Sequence, residues 1–125
     1  MTALVDTSVL IDVLRGRPEA AGLLEVERDA GVLHASEVTR LELLAGMRPE
    51  EDAGTRLLFT ALVWHPLDEE VAEAAGAIGR QWLPRHGGID AADLAIAATA
   101  RNLGARLLTL NVSHFPMFPG LAAPY

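Results

Sequence analysis

Short apolar runs alternate with longer segments in which apolar residues recur three or four positions apart, and this alternation predicts the elements of the chain. The short runs favour buried strands, whereas the longer periodic segments favour helices, and glycine and proline mark the breaks between them. The predicted strands cover 3–6, 32–34, 63–65 and 106–110, and the predicted helices cover 8–15, 19–30, 37–45, 49–61, 68–82 and 90–102. Apolar strands that alternate with helices predict an α/β fold, with a parallel sheet covered by helices on both faces.

The length and composition add limits to this interpretation. A chain of 125 residues is long enough for one compact domain, which we expect to cover 1–125. No apolar run approaches the roughly 20 residues of a membrane span, and the amino terminus lacks the pattern of an export signal. There is no cysteine, so disulfides, thiolate metal sites and thiol nucleophiles are excluded. We therefore expect a soluble, cytoplasmic protein with no membrane association.

The charge balance argues against a general nucleic-acid-binding surface. The net charge is -7, whereas phosphate backbones are held mainly by cations. All ten basic residues are nonetheless arginine, whose planar fork binds phosphate well, although genomic base composition also explains the absence of lysine. The candidates for a local RNA-facing rim are Arg15, Arg17, Arg40 and Arg48, and ordinary solvated arginine is the alternative for each.

Carboxylates interrupt several of the apolar segments. Asp6 follows the first predicted strand, where it either has a functional role or caps the next helix. Glu42 lies on the helical stripe of Val38 and Ala45, so we expect it to face inward, the alternative being a partly exposed helical glutamate. Because a buried carboxylate costs several kcal/mol unless it is paired or binds a metal, these positions indicate a site.

Asp90 and Asp93 lie three residues apart at the start of the last predicted helix. For Asp90, helix capping is a strong interpretation. Asp93 precedes the apolar run 94–98 and has no basic residue near it in the sequence, which favours a functional role. Carboxylates without cysteine or a helical histidine pair form an oxygen-only site that suits Mg²⁺ or Mn²⁺ rather than zinc. Such an ion activates and orients water for phosphodiester hydrolysis.

Four segments spread along the chain are similar to those of a known family. They read VDTSVLIDVLRG, SEVTRLELLAG, DAADLAIAATA and LLTLNVSHFPMFPGL. Together, in this order and spacing, they resemble the PIN-domain ribonucleases of the VapC toxin type. The resemblance implies one PIN domain, an α/β/α sandwich around a short parallel sheet, and a magnesium-dependent endoribonuclease that is the toxin of a toxin–antitoxin pair. It also implies a homodimer, an RNA substrate such as transfer RNA, and a VapB-type antitoxin whose extended tail covers the acidic pocket.

The resemblance also assigns roles to particular residues. Asp6, Glu42 and Asp93 match the acidic motif positions, as metal ligands and activators of the attacking water. The family often places a fourth acid after the last strand, where this chain has Asn111. Asparagine can bind a metal but cannot act as a base, so Asp90 is an alternative source of the missing carboxylate.

The sequence disfavours two other functions and leaves a third open. Ser8 matches the small hydroxyl residue of the family, whereas a haloacid dehalogenase would need aspartate at that position. A response-regulator receiver would need a lysine, which the chain lacks. A catalytically inactive PIN-fold binding module stays open, because Asn111 replaces an acid.

Overall fold

The computed structural model describes residues 2–125, and at its centre is a four-stranded sheet in which every neighbouring pair of strands is parallel. The strand order is β3-β2-β1-β4, with six helices around the sheet, so the α/β/α fold predicted from the sequence is confirmed. None of the helices within 2–125 has the length and apolar character needed to cross a membrane. The elements in chain order are β1 (Ala3–Val5), α1 (Thr7–Leu14), α2 (Pro18–Ala30), β2 (Leu33–Ser36), α3 (Glu37–Ala45), a 3-10 turn (Pro49–Glu51), α4 (Asp52–Phe59), β3 (Val63–His65), α5 (Glu69–Trp82), α6 (Ala91–Leu103), β4 (Arg106–Leu108) and a second 3-10 turn (Val112–His114).

The hydrophobic core has two parts, one on each face of the sheet. Leu4 of β1 packs with α5, α6 and the residues that follow the last turn. Its neighbours Ala3 and Val5 pack with residues of α1 to α4 on the other face. Successive side chains of a strand point to opposite faces, so a strand covered on both sides has no polar position. This explains why β1 consists of apolar residues alone.

Close packing of α5 against α6 fixes the position of the last helix. An added Cβ on Gly79 of α5 would lie 3.1 Å from the Cδ1 atom of Leu94, so a side chain there would crowd α6. Residues 93–100 of α6 are all buried. A helix buried over so many consecutive positions has little freedom to shift, and its first turn, which contains Asp93, is therefore held in place.

Several predicted boundaries are wrong by a few residues. The second strand was predicted at 32–34 but extends from Leu33 through Ser36, because Ser36 pairs with His65 in the sheet. The last strand was predicted to reach Leu110 but ends at Leu108. The helix predicted over 49–61 is divided into the 3-10 turn and the shorter helix α4.

The segment 115–125 contains no helix or strand, as its proline and glycine content predicted, yet it is well anchored. Phe115 and Met117 are buried in the part of the core formed with α5 and α6. At its end, the hydroxyl of Tyr125 donates a 2.8 Å hydrogen bond to the carboxylate of Asp12 in α1. The tail therefore contacts both parts of the core.

Candidate active site

Asp6 lies directly after β1, a central strand of the sheet, and its side chain is 3% exposed. It occupies the N-cap position of α1, but its carboxylate makes no capping hydrogen bond. Instead, Oδ2 accepts hydrogen bonds from the hydroxyls of Ser8, at 2.8 Å, and Thr109, at 2.7 Å. The capping interpretation of the carboxylate is therefore wrong. Two hydroxyl groups orient this carboxylate at the carboxyl end of the strand.

The same two hydroxyls fix the segment that follows β4. The backbone N–H of Leu110 donates to Ser8 Oγ at 3.1 Å, and that of Asn111 donates to Thr109 Oγ1 at 2.9 Å. These bonds explain why β4 ends before Thr109, since the chain turns there towards Asp6. Within residues 2–125 the Asp6 carboxylate has no basic partner, and no hydrogen bond is made to its Oδ1 atom.

Glu42 is exposed, so the expectation that it faces inward is wrong. The buried residues of α3 are Thr39 and Leu43, and Glu42 lies beside this stripe rather than on it. Its Oε1 atom accepts a 2.7 Å hydrogen bond from the Thr7 hydroxyl, which is also 2.9 Å from the Thr39 hydroxyl. Because Thr7 follows Asp6 in the chain, this bond holds Glu42 beside the end of β1.

Asp90 and Asp93 form a reciprocal cap at the start of α6. The N–H of Asp93 donates to Asp90 Oδ1 at 2.8 Å, and the N–H of Asp90 donates to Asp93 Oδ2 at 3.1 Å. The capping interpretation of Asp90 is confirmed, and its side chain is exposed. Asp93 is only 7% exposed, and the turn after β4 brings the Nδ1 atom of His114 to 3.2 Å from its carboxylate. The sequence alone gave no sign of this histidine neighbour.

The ionised form of Asp93 is unfavourable in the folded protein. The pKa of this carboxyl group is raised to about 6, mainly by burial and also by the charge of Asp90. The backbone hydrogen bond from Asp90 and the proximity of His114 act in the opposite direction on the pKa. A buried carboxylate of this kind is stabilised by any additional positive charge placed near it.

The predicted acids are positioned from neighbouring elements, but they do not form a compact cluster. Within residues 2–125, no three side chains of aspartate, glutamate, histidine or cysteine are arranged to hold a metal ion. Asp6 and Glu42 are linked through Thr7, while Asp93 contacts Asp90 and His114. Asp6 and Glu42 also lack ion-pair partners in this part of the chain. Carboxylate oxygens that have no positively charged partner are suitable ligands for a hard divalent cation such as Mg²⁺.

The remaining predicted residues have different surroundings. The side chain of Asn111 is exposed, and its backbone N–H supports Thr109. Arg17 pairs with Asp12 at 3.1 Å, and Arg40 pairs with Glu37 at 2.6 Å. These ion pairs leave the two arginines poorly placed to bind a phosphate.

Sequence reasoning missed two residues at this site. Thr109 was assigned to a strand, although a polar residue that ends an apolar run is a recognisable signal for a strand end at a functional edge. His114 was not assigned to the site, because no local pattern relates it to Asp93. Thr109 lies beside Asp6 because β4 pairs with β1, and His114 lies beside Asp93 because the turn after β4 passes the start of α6.

The chain matches the model of the PIN domain family over residues 3–115. It is 47% identical to ribonuclease VapC19 of Mycobacterium tuberculosis over 123 residues, which cover 98% of each protein. It is 40% identical to ribonuclease VapC10 of the same species over 122 residues, covering 98% of this chain and 92% of VapC10. A solved toxin–antitoxin complex from Klebsiella pneumoniae contains a chain with a TM-score of 0.82 and 28% identity, covering 99% of this chain and 98% of the other. This chain therefore belongs to the PIN-domain family, among the ribonucleases of the VapC type.

Proposed function

We propose that this protein is an endoribonuclease that hydrolyses RNA phosphodiester bonds with the help of Mg²⁺ or Mn²⁺, and that it is the toxin of a type II toxin–antitoxin pair. The names of the relatives VapC19 and VapC10 support the ribonuclease activity. The observation that carries the proposal is the buried carboxylate of Asp6. It lies at the end of a central strand, is held by two hydroxyls, and has no basic partner within residues 2–125.

The proposed ligands of the cation are Asp6, Glu42 and Asp93, with Asp90 and Asn111 as the two candidates to complete the site. When bound, a divalent cation lowers the pKa of a coordinated water and stabilises the negative charge that develops on the phosphate. Carboxylate oxygens are the donors that Mg²⁺ prefers, and the phosphates of a substrate supply further oxygen donors. The chemistry of these residues fits this role.

The residues around the acids orient them for this reaction. Ser8 and Thr109 bind one oxygen of Asp6, which leaves the other oxygen free of hydrogen bonds within the described chain. Thr7 holds Glu42 through its hydroxyl. Groups that fix metal ligands in this way affect metal affinity or activity by about 10-fold to 100-fold in well-studied sites.

The proposal extends to partners and location. The solved relative from Klebsiella pneumoniae is a toxin–antitoxin complex, which supports a VapB-type antitoxin as the partner of this chain. The proposed substrate is RNA, with transfer RNA as one candidate, and the proposed assembly is a homodimer in the cytoplasm.

A second function, that of an inactive PIN-fold binding module, is favoured by two observations. Asn111 stands where the family often has an acid, and the described residues contain no preformed cluster of metal-binding side chains. A binding module would keep the fold and the antitoxin surface but would not cleave RNA in the presence of any divalent cation.

Cleavage of total cellular RNA by purified, antitoxin-free protein distinguishes the two functions. The reactions contain Mg²⁺, Mn²⁺ or EDTA, and they are repeated with Asp6→Asn. A matched control is Asp29→Asn, because Asp29 is an exposed carboxylate in the last turn of α2, next to the amino end of β2. Discrete fragments that require both the metal and Asp6 support the nuclease. No cleavage by the folded wild-type protein with either metal supports the binding module.

A further inference from the structure

A cavity of about 360 Å³ adjoins the candidate active site and contains one of its proposed ligands. It lies between the second half of α1 and the second half of α3, and Glu42 is part of its wall. Because the Glu42 carboxylate is bonded to Thr7 at the start of α1, the cavity extends from the candidate active site along both helices. Its volume is within the range of about 300 to 1,000 Å³ that is usual for binding sites of small molecules.

Two arginines, Arg15 and Arg48, line this cavity together with Glu42. Within residues 2–125, neither guanidinium group has an ion pair or a hydrogen bond. The second acid of the cavity is Glu51. Its Oε1 atom accepts a 2.7 Å hydrogen bond from the backbone N–H of Arg48, and not from a guanidinium group. The N–H donors of the two guanidinium groups are therefore available to a ligand.

The two free guanidinium groups contrast with the acidic character of the chain. The net charge is -7, and four of the ten arginines are ion-paired with aspartate or glutamate: Arg17, Arg40, Arg56 and Arg106. The cavity lining carries two positive charges, from Arg15 and Arg48, and two negative charges, from Glu42 and Glu51. An anion is therefore recognised here by direct contact with the two unpaired guanidinium groups rather than by a net positive field. Guanidinium groups bind both carboxylates and phosphates, and phosphate is the anion that an RNA substrate presents.

We infer that Arg15 and Arg48 form a phosphate-binding subsite for single-stranded RNA, at some distance along the strand from the bond that is cleaved. This inference rests on the proposed ribonuclease function. The helix rise of about 1.5 Å per residue places Arg15 roughly 12 Å along α1 from Thr7, which is further than neighbouring phosphates of one strand lie apart. The phosphate that Arg15 contacts therefore belongs to a different nucleotide from the reacting one, and Arg48 lines the same cavity. The apolar side chains of Ile11, Leu14 and Met47 in the same cavity provide a surface for a base.

The test measures RNA binding separately from RNA cleavage. The affinity of a fluorescein-labelled single-stranded RNA is measured by anisotropy between 50 and 300 mM salt, about the range over which phosphate contacts are strongly screened. Asp6→Asn is the background, so that the RNA stays intact. Arg15→Gln and Arg48→Gln are the variants, and Arg80→Gln is the control, because Arg80 is exposed, has no ion pair within the described chain, and does not line this cavity.

Each cavity variant is expected to weaken binding several-fold and to reduce the slope of log affinity against log salt by about 0.7, the value for one phosphate contact on a single strand. Arg15→Lys and Arg48→Lys should keep most of the slope, because they keep the charge. In the active protein, Arg15→Gln and Arg48→Gln should raise KM with kcat changed less than about twofold.

The outcomes separate the subsite from the nuclease. If wild-type protein cleaves RNA while the cavity variants match Arg80→Gln in affinity, slope and KM, the subsite is overturned and the nuclease stands. If the RNA binds with the expected arginine dependence but is never cleaved, the nuclease is overturned and the subsite stands. If the protein neither binds nor cleaves RNA, both are overturned.

Discussion

Replacing Asp93 with asparagine should make the protein more stable and less active at the same time. The side chain is 7% exposed, and burial raises the pKa of its carboxyl group from 3.8 to about 6. A difference of one pKa unit corresponds to about 1.4 kcal/mol, so the ionised carboxylate disfavours folding by at most about 3 kcal/mol at neutral pH. Asparagine has nearly the same shape and carries no charge, and its amide oxygen can still accept the hydrogen bond from the N–H of Asp90.

The direction of the pH dependence follows from the raised pKa. Between about pH 4 and pH 6 the folded chain binds more protons at Asp93 than the unfolded chain does, so the free energy of unfolding falls as the pH rises. The stabilisation is complete below the pKa of the unfolded chain and is lost above the pKa of the folded chain. Asp93→Asn should remove this dependence. We expect the variant to gain about 1 to 3 kcal/mol over wild type at pH 7.5 and to gain little at pH 4.

Urea unfolding in EDTA, followed by circular dichroism at pH 4 and pH 7.5, measures this difference without metal stabilisation. Asp29→Asn serves as the control for removal of an exposed carboxylate and should leave the pH dependence unchanged. In RNA cleavage with Mg²⁺, Asp93→Asn should be inactive. A variant that is no more stable than wild type at pH 7.5 would refute the argument from burial, and unchanged cleavage would remove Asp93 from the site.

Further predictions concern the residues that support the acids and the tail. Thr109→Val removes a hydroxyl that orients the carboxylate after β1, so RNA cleavage should fall by about 10-fold to 100-fold while the circular dichroism spectrum stays unchanged; full activity would show that this hydroxyl has no role. Tyr125→Phe removes the hydrogen bond to Asp12 and should lower the free energy of unfolding by about 1 to 2 kcal/mol, measured in urea, with RNA cleavage unaffected. Asp90→Asn should retain more cleavage activity than Asp93→Asn, because asparagine also caps helices well. If Asp90→Asn were the less active variant, Asp90 would be the metal ligand and Asp93 the helix cap.

The fold could be predicted because its local signals agree with each other. The strands are short apolar runs, the helices have apolar residues at helical spacing, and glycine or proline separates most of them. The predicted boundaries failed where a tertiary contact overrides the local pattern. Thr109 leaves the last strand because its hydroxyl binds Asp6, and Ser36 stays in the second strand because it pairs with His65.

The site could be predicted only in part. Asp6 and Asp93 were recognisable as buried because they stand beside apolar runs. Glu42 was misplaced because the helical stripe was drawn through Val38 and Ala45, whereas Thr39 is the residue of that turn that is fully buried. The proximity of His114 to Asp93 depends on the order of the strands, which no local pattern contains.

Binding of Mn²⁺ tests most directly whether the carboxylates at the end of β1 form a divalent-cation site. Electron paramagnetic resonance of Mn²⁺ titrated into the protein without RNA measures free and bound metal for wild type, Asp6→Asn and Asp29→Asn. We predict that wild type and Asp29→Asn bind Mn²⁺ equally. Asp6→Asn should bind it at least about 10-fold more weakly, since mutation of residues that merely support metal ligands already lowers affinity by that factor. Equal binding by wild type and Asp6→Asn would contradict the assignment of the metal to this carboxylate.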